Sequence, residues 1–288
     1  MKLVRYEHNG RSPQVGLVVE NRVIDLSGVV PSMHALITLS ADGLAVIRQQ
    51  ATAGQGISLK EVKLVAPLQP RRNVMCLGKN YADHAREMQT AHNEPIEIPQ
   101  FPVIFTKATT SVSGPTDPIP FDPTVSEQID WEVELAVIIG KQGKNIPAEQ
   151  AMEYVFGYTV LNDVTARDLQ RQGKQFFKGK SLDGSCPIGP WIVTADELTD
   201  PHNLDVRCLV NGVEKQASNT RHMIFDIPTT IAYLSRGMTL LPGDVIATGT
   251  PDGVGSARTP PEFLRPGDVL TSIVAGIGEL RNVVTAVP

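Results

Sequence analysis

The sequence predicts an α+β fold in which β-strands predominate. Most apolar runs are short and rich in β-branched residues, as in VGLVVENRVIDL at 15–26, EVELAVIIG at 132–140 and FGYTVLND at 156–163, and this composition is typical of strands. The 24 glycines and 22 prolines are scattered between such runs as turn residues. Helical periodicity is confined to a few segments.

The beginning of the chain has the pattern of a small α+β domain. Strand-like residues at 15–26 are followed by a helical pattern at 33–50, and residues 59–74 have the composition of a connector. We therefore predict a small N-terminal α+β domain over residues 1–68 and a β-rich main domain over residues 69–288. A chain of 288 residues can accommodate this division.

In the main region, turn chemistry marks the starts of further strands. Helical patterns occur at 81–89, at 147–155 and just after Asp163. Asn211-Gly212 predicts a hairpin. The phrase Leu-x-Pro-Gly-Asp-Val occurs twice, at 240–245 and 264–269, and we expect each copy to form a type II turn that begins a strand.

The composition of the chain restricts its classes of binding partner and its cellular compartment. A net charge of −5 and a pI near 5.7 argue against nucleic acid or an anionic membrane as a partner. No apolar run approaches the span of a bilayer, and the N-terminus turns polar at once, unlike a signal peptide. Cys76, Cys186 and Cys208 are too widely spaced for a disulfide framework or a zinc cluster. We therefore expect a soluble cytoplasmic protein.

Three carboxylates form a candidate metal site. In DWEVELAVIIG, Glu132 and Glu134 alternate with apolar residues and therefore share one face of a strand. Two neighbouring carboxylates repel unless a cation or water separates them, and an isolated pair of this kind is more often a solvated face. Asp163 ends a second strand, where it either points into a cleft or caps a helix. Together the three oxygens suit Mg²⁺ or Mn²⁺ better than Zn²⁺.

A histidine–glutamate pair and a group of polar residues could complete a catalytic site. His84 and Glu87 are three residues apart and share a helical face, so they form either a general-base pair or a solvated surface. The loop at 90–102 could make this helix a lid. Arg167, Gln170 and Lys180 follow Asp163 and could bind an anionic substrate, although each alone is more typical of a surface. The loop at 248–255 is glycine-rich but lacks the ending of a phosphate-binding loop.

Several of these phrases, in this order, resemble the fumarylacetoacetate hydrolase superfamily. They are GKNYADHAREM, PVIFTK, DWEVELAVIIGK, GYTVLNDVTARDLQ, KGKSLDGSCPIGPWIVT, NGVEKQASNTRHMIF, TLLPGDVIATGTPDGVG and GIGEL. The motifs are most similar to those of acylpyruvate hydrolases and oxaloacetate decarboxylase-type members. The resemblance implies a rolled, mixed β-sandwich catalytic domain, a homodimer and one Mg²⁺ or Mn²⁺ per chain.

The resemblance also implies roles for individual residues. Glu132, Glu134 and Asp163 would be the metal ligands, and His84 with Glu87 the water-activating pair. Lys180 would be both catalytic and substrate-binding. The remaining implied substrate contacts are Arg167, Gln170 and Thr250. Lys79 occupies a variable position and receives no role.

We therefore expect a hydrolase that cleaves the C3–C4 bond of an acylpyruvate to give pyruvate and a carboxylate. In this hypothesis Glu87, positioned by His84, deprotonates the attacking water, and the pyruvate enolate is stabilised by the metal and Lys180. The same site could decarboxylate oxaloacetate, or isomerise or hydrate an unsaturated 2-oxo acid. A metal-binding scaffold without activity is the non-enzymatic alternative.

Overall fold

The computed structural model describes residues 1–53, 56–91 and 95–287, and it confirms the mostly β, α+β fold. The strands are β1 Lys2–Glu7, β2 Gln14–Val19, β3 Arg22–Asp25, β4 Ile57–Ser58, β5 Lys63–Val65, β6 Val74–Gly78, β7 Val103–Lys107, β8 Val112–Ser113, β9 Ile119–Phe121, β10 Ile129–Asp130, β11 Val133–Ile139, β12 Val155–Asn162, β13 Thr165–Ala166, β14 Cys186–Thr194, β15 Asp205–Val210, β16 Val213–Asn219, β17 Val245–Ala247, β18 Val269–Val274 and β19 Gly278–Ala286.

The helices are few and mostly short. The α-helices are α1 Met33–Ile37, α2 Ala41–Ala53, α3 Ala82–Ala91, α4 Arg167–Arg171, α5 Phe177–Lys180 and α6 Ile227–Ser235. The 3₁₀ turns are Leu59–Glu61, Thr109–Ser111, Ala148–Tyr154, Thr220–His222 and Gly255–Ala257. No described helix is long and apolar enough to cross a bilayer.

The central layer is a twelve-stranded mixed sheet. Its main path runs β4-β3-β2-β1-β14-β12-β11-β17-β6-β7, and β5 and β8 pair at the side with β1 and β14. Every residue of β11 is buried, and alternate residues enter different cores because strand side chains alternate between faces. Val133, Leu135 and Val137 contact the first core, whereas Ala136 and Ile138 contact the second.

The two faces of this sheet are covered by different elements. A five-stranded sheet of order β16-β15-β18-β19-β9 supplies apolar residues to the first core. Helix α1 packs into the second core. Glu132 and Glu134 are even-numbered like Ala136 and therefore face the second core, together with Cys76, Phe105 and Cys186.

Turns form where the sequence predicts them. Asn211 and Gly212 both have positive φ, 53° and 78°, between β15 and β16, as a type I′ hairpin turn requires. Gly243 and Gly267 have φ of 87° and 94°, and β17 and β18 begin two residues later. Both repeated phrases therefore begin strands, as predicted.

The N-terminal strands are continuous with the main sheet. Lys2 and Leu3 of β1 pair with Val193 and Ile192 of β14, so β1–β4 extend the central sheet at one edge. The division at residue 68 stays a prediction.

The helical predictions differ from the structure in two places. The segment 33–50 is interrupted, because the Thr38 hydroxyl donates to the carbonyl of Ala35 and Ser40 accepts from the N–H of Gly43, which ends α1 and begins α2. The segment predicted as a helix at 147–155 is a 3₁₀ turn. The loop predicted at 90–102 includes residues 92–94, which lie outside the described residues.

Candidate active site

Neighbouring strands bring the three predicted carboxylates together. Glu132 lies directly before β11, Glu134 within it, and Asp163 directly after β12. The strands are antiparallel with Val133 opposite Asn162, so the end of β12 meets the start of β11, and the N–H of Asp163 donates to the carbonyl of Glu132 at 2.8 Å. One carboxylate oxygen of each residue lies within 4.8 Å of the others.

Three buried cations surround these carboxylates. Lys180 Nζ lies 2.8 Å from Glu132 Oε2 and 2.8 Å from Asp163 Oδ2. Arg167 Nη2 lies 2.7 Å from Glu132 Oε1, and Lys107 Nζ lies 2.8 Å from Asp163 Oδ1. These ion pairs offset part of the desolvation cost of the buried charges.

Glu134 is the least compensated carboxylate of the three. Its Oε2 accepts from the N–H of Gly249 at 2.7 Å, whereas its buried Oε1 has no hydrogen-bond partner among the described residues. A buried acceptor without a partner is costly. An all-oxygen donor set with one unsatisfied carboxylate oxygen fits a hard cation such as Mg²⁺ or Mn²⁺. The residues present therefore fit a metal ion.

The electrostatic environment separates the two glutamates. Burial raises the pKa of Glu134 well above its ordinary value, and the charges of Asp163 and Glu132 raise it further. Burial also acts to raise the pKa of Glu132, but Lys180 and Arg167 bring it below its ordinary value. A divalent cation would stabilise the ionised form of Glu134, which protein cations do not adequately stabilise.

Helix α3 positions the predicted histidine–glutamate pair. His84 Nδ1 lies 2.9 Å from Glu87 Oε1, and Glu87 in turn accepts from the N–H of Gly253 at 3.0 and 2.9 Å. Gly253 has φ +97°, and a Cβ there would lie 2.1 Å from the carbonyl oxygen of Lys215. The glycine therefore allows the loop to approach closely enough to hold Glu87.

A cavity of about 290 Å³ opens beside the carboxylates. Its lining residues are Leu77, Gly78, Lys79, His84, Met88, Phe105, Glu132, Arg167, Gln170, Arg171, Gly173, Phe176, Lys180 and Thr250. His84 lines this cavity, whereas Glu87 lines a separate surface groove. The histidine ring, oriented by Glu87, is thus the member of the pair that faces the cavity.

The predicted substrate contacts are held by further polar residues. Arg167 donates from Nε to Asp130 Oδ2 at 2.8 Å and from Nη1 to Gln170 Oε1 at 3.1 Å. Thr250 donates to the carbonyl of Val133 at 2.9 Å and accepts from Gln216 Nε2 at 2.8 Å. The catalytic, substrate-binding and metal-binding roles of these side chains stay predictions, although the structure brings them together.

Sequence reasoning missed four residues that support the site. Lys107 ends the apolar run PVIFTK, which is an unusual position for a buried lysine. Asp130 begins the phrase DWEVELAVIIG, which contains Glu132 and Glu134. Both residues therefore had a local signal. Gln216 and Asn80 lie within phrases that resemble the family, but no local pattern indicates their contacts, which join segments distant in sequence. Asn80 donates to the carbonyls of Phe225 and Thr248 at 3.0 and 2.7 Å.

A model of a known protein family matches most of the chain. The family described as "Fumarylacetoacetate (FAA) hydrolase C-terminal" matches residues 73–285. Oxaloacetate tautomerase fahd2 of Xenopus laevis, a mitochondrial protein, is 42% identical over 98% of this chain and 89% of that protein. Oxaloacetate tautomerase YisK of Bacillus subtilis is 50% identical over 78% of this chain and 74% of that protein.

Solved structures share the fold over the whole chain. A fumarylacetoacetate hydrolase from Exiguobacterium antarcticum superimposes with a TM-score of 0.83 at 43% identity, covering 100% of both chains. Maleylpyruvate hydrolase from Sphingobium sp. SYK-6, in complex with manganese(II) ion and pyruvate, gives 0.81 at 32% identity, again covering 100% of both chains.

Proposed function

Because this chain belongs to the fumarylacetoacetate hydrolase family, we propose that it is an oxaloacetate tautomerase that uses a divalent cation. The observation that carries the proposal is the buried trio of Glu132, Glu134 and Asp163 beside a cavity lined by His84. Two relatives, 42% and 50% identical, are named oxaloacetate tautomerases, which supports this substrate.

One Mg²⁺ or Mn²⁺ per chain, held by Glu132, Glu134 and Asp163, would supply Lewis-acid polarisation of the 2-oxo group. The Sphingobium structure with manganese(II) and pyruvate supports this assignment. Lys180 Nζ reaches both Glu132 and Asp163 at 2.8 Å. It therefore lies where it can donate a hydrogen bond to the substrate oxygen on which negative charge develops.

Proton transfer is assigned to His84. Its Nδ1 is engaged by Glu87 at 2.9 Å, which fixes the ring and leaves Nε2 as the nitrogen that accepts or returns a proton at C3 of the substrate. Arg167 and Gln170 line the same cavity and would hold the C1 carboxylate. In this assignment Glu87 orients His84, which is the base. Its role as the base itself, expected from the sequence, stays a prediction.

The tautomerase proposal is tested by following the enol of freshly dissolved oxaloacetate by its ultraviolet absorbance. We expect the purified protein with Mg²⁺ or Mn²⁺ to accelerate conversion far above the metal and buffer alone. Chelation of the metal, or the substitution His84→Ala, should reduce the rate by at least about a hundredfold, as for loss of a general base. A metal-loaded protein that leaves the rate at the buffer value contradicts the proposal.

Acylpyruvate hydrolysis is the second candidate. The His84–Glu87 pair can equally activate a water for attack on C4, after which the C3–C4 bond breaks, and maleylpyruvate hydrolase shares the fold. Assays with acylpyruvates and oxaloacetate, following pyruvate and carbon dioxide, separate hydrolysis from decarboxylation. Unsaturated 2-oxo acids test isomerisation and hydration. Metal binding without turnover on any of these substrates would favour a scaffold.

The substitution Glu87→Gln distinguishes the two roles of this residue. If Glu87 is the base, hydrolysis is abolished. If Glu87 only orients His84, hydrolysis and tautomerisation both fall by roughly tenfold to a hundredfold, since the ring keeps its nitrogen but loses its charged partner. Unchanged rates would exclude both roles. Steady-state rates with each substrate provide the measurement.

We also propose that the protein is a cytoplasmic homodimer. Large apolar side chains on the surface, including Ile96 and Phe101 at 60% and 69% exposure, support an interface with a second copy. Light scattering at several concentrations tests the dimer, and cell fractionation tests the compartment. A monomer at all concentrations contradicts the first, and the protein in another fraction contradicts the second.

A further inference from the structure

Lys79 occupies an unusual backbone position at the rim of the cavity. It lies between β6 and α3 with φ +56°, a left-handed conformation that is uncommon for residues other than glycine. The next residue, Asn80, fixes this turn by donating to the carbonyls of Phe225 and Thr248. The backbone is therefore held in a conformation that directs a partly buried lysine to the cavity wall. Such outliers concentrate at functional sites.

The charge of Lys79 has no acidic partner among the described residues, in contrast to the charges of Arg167 and Lys180 in the same cavity. Arg167 pairs with Asp130 and Glu132, and Lys180 pairs with two carboxylates. Arg171 donates to Gln128. Within residues 1–53, 56–91 and 95–287, Lys79 has no ion-pair or hydrogen-bond partner.

Part of the cavity wall is apolar. Phe105 and Phe176 meet edge to face, with ring centroids 5.6 Å apart, and both line the cavity, as does Met88. In such partly desolvated surroundings a charge pair gains strength. An anionic group that entered the cavity would therefore be attracted to Lys79.

We infer that Lys79 binds the second carboxylate of a dianionic 2-oxo acid and thereby selects dicarboxylates over monocarboxylates. The inference rests on the proposed function, since it assigns the C1 carboxylate and 2-oxo group to the end of the cavity beside Arg167 and Lys180. The C4 carboxylate of oxaloacetate then extends toward Lys79. A neutral substituent at C4 leaves the ammonium unpaired, which reduces its affinity.

The kinetic test compares oxaloacetate with its 4-methyl ester, which lacks the second charge. Lys79→Met keeps the apolar stem and removes the charge. It should raise the KM for oxaloacetate by about tenfold, as for loss of one charge-assisted hydrogen bond, with little change in kcat, and leave the KM for the ester unchanged. Lys79→Arg should restore most of the affinity. An equal effect on both substrates, or no effect on either, overturns the inference.

A matched control removes a charge outside the cavity. Lys178 is exposed on α5 and is absent from the cavity lining, so Lys178→Met should leave both KM values unchanged. If Lys178→Met raises the KM for oxaloacetate as much as Lys79→Met does, the long-range field rather than a contact is responsible, and the inference fails.

A binding measurement separates this inference from the proposed reaction. Neither 3,3-difluorooxaloacetate nor 3,3-difluoro-2-oxobutanoate carries a hydrogen at C3, so neither can enolise. Calorimetry with the metal-loaded protein should show that Lys79→Met weakens the dicarboxylate about tenfold and leaves the monocarboxylate unchanged. This pattern in a protein without tautomerase activity would reject the proposed function and keep the role of Lys79. If Lys79→Met binds each ligand as tightly as the unsubstituted protein does, Lys79 does not bind the second carboxylate and the inference is rejected.

Discussion

At the scale of single residues, the site is a balance of buried charges. Glu132, Asp163 and Asp130 each contact a buried cation, whereas Glu134 accepts, among the described residues, only a backbone N–H. Removing one member of a buried ion pair is more costly than replacing both, because the remaining charge is left without compensation. Substitutions at this site should therefore change the free energy of unfolding as well as activity.

Lys107→Met tests this balance at a residue that does not line the cavity. Lys107 is fully buried and pairs with Asp163 at 2.8 Å, so we expect the metal-free protein to lose about 3–5 kcal/mol of unfolding free energy. Mn²⁺ should recover part of the loss, because it also stabilises the ionised carboxylate. Urea denaturation with EDTA and with Mn²⁺ provides the comparison. An equal loss in both conditions would mean that Lys107 acts only through packing.

Glu134→Gln should stabilise the metal-free protein at pH 7. Because burial and neighbouring carboxylates raise the pKa of Glu134 above its ordinary 4.5, the folded state binds the proton more tightly than the unfolded state. The resulting stability is present below pH 4.5 and is lost as pH rises through the folded pKa. Glutamine cannot ionise, so we expect the free energy of unfolding to rise at pH 7, by an amount that shrinks towards pH 4.

Glu132→Gln is the control, since its pKa is lowered. Its ionised form contributes stability above the unfolded pKa, which is lost as pH falls through the folded pKa. This variant should therefore be destabilised at pH 7. Urea unfolding of both variants in EDTA at pH 4 and pH 7 gives the values. Two variants that lose stability equally at pH 7 would contradict the different environments of the two glutamates.

At the scale of elements, one loop supplies backbone contacts to two parts of the site. The loop after β17 presents the N–H of Gly249 to Glu134 and the N–H of Gly253 to Glu87. It therefore connects the carboxylate trio with the helix that carries His84. Displacing this loop should disturb the carboxylate trio and the His84–Glu87 pair together.

Gly253→Ala tests the loop by a single methyl group. The added Cβ would lie 2.1 Å from the carbonyl oxygen of Lys215 in a backbone with φ +97°, so we expect a loss above about 2 kcal/mol of unfolding free energy and a large fall in kcat. Gly212→Ala is the matched control, because its φ is +78° with open space around it. It should cost about 1 kcal/mol and leave kcat unchanged. Equal effects would assign the loss to backbone strain alone.

The sequence predicted the presence of local helices and strands better than the residues at which they begin and end. The alternating run of β11 and the two Pro-Gly turns carry their own geometric signal, so strands there were predictable. The break between α1 and α2 depends on the Thr38 and Ser40 hydroxyls, which compete with the helix backbone. Hydrophobic periodicity does not register such hydrogen bonds.

At the scale of the whole molecule, the carboxylate trio joins neighbouring strands of the central sheet to the loop after β17. We expect Mn²⁺ at one hundred times its Kd to raise the free energy of unfolding by about 2.7 kcal/mol, because it binds the folded state alone. Calorimetric unfolding of the protein with and without Mn²⁺ measures this shift. The double substitution of Glu132 and Glu134 by Gln should remove it. A shift that persists in the double variant would locate the ion elsewhere.

The candidate site was only partly predictable, because some of its contacts join residues that are distant in sequence. Glu132, Glu134 and Asp163 lie within or directly beside two consecutive strands, β11 and β12, and motifs mark them. Gln216, in contrast, reaches the site because β16 passes beside β11 and lets its side chain bond Val133 and Thr250. That contact follows from how two sheets stack, and no local pattern in the sequence specifies the stacking.

The amide of Asn80 joins three separate chain segments through its bonds to Phe225 and Thr248. Helix α3 begins two residues after that anchor, and its residues His84, Ala85 and Gln89 are buried. A homologous segment grafted at α3 would therefore have to bring Asn80 with it or meet an equivalent amide in the host. His84, the proposed base, would travel with that segment, while Glu132, Glu134 and Asp163 would stay with the host.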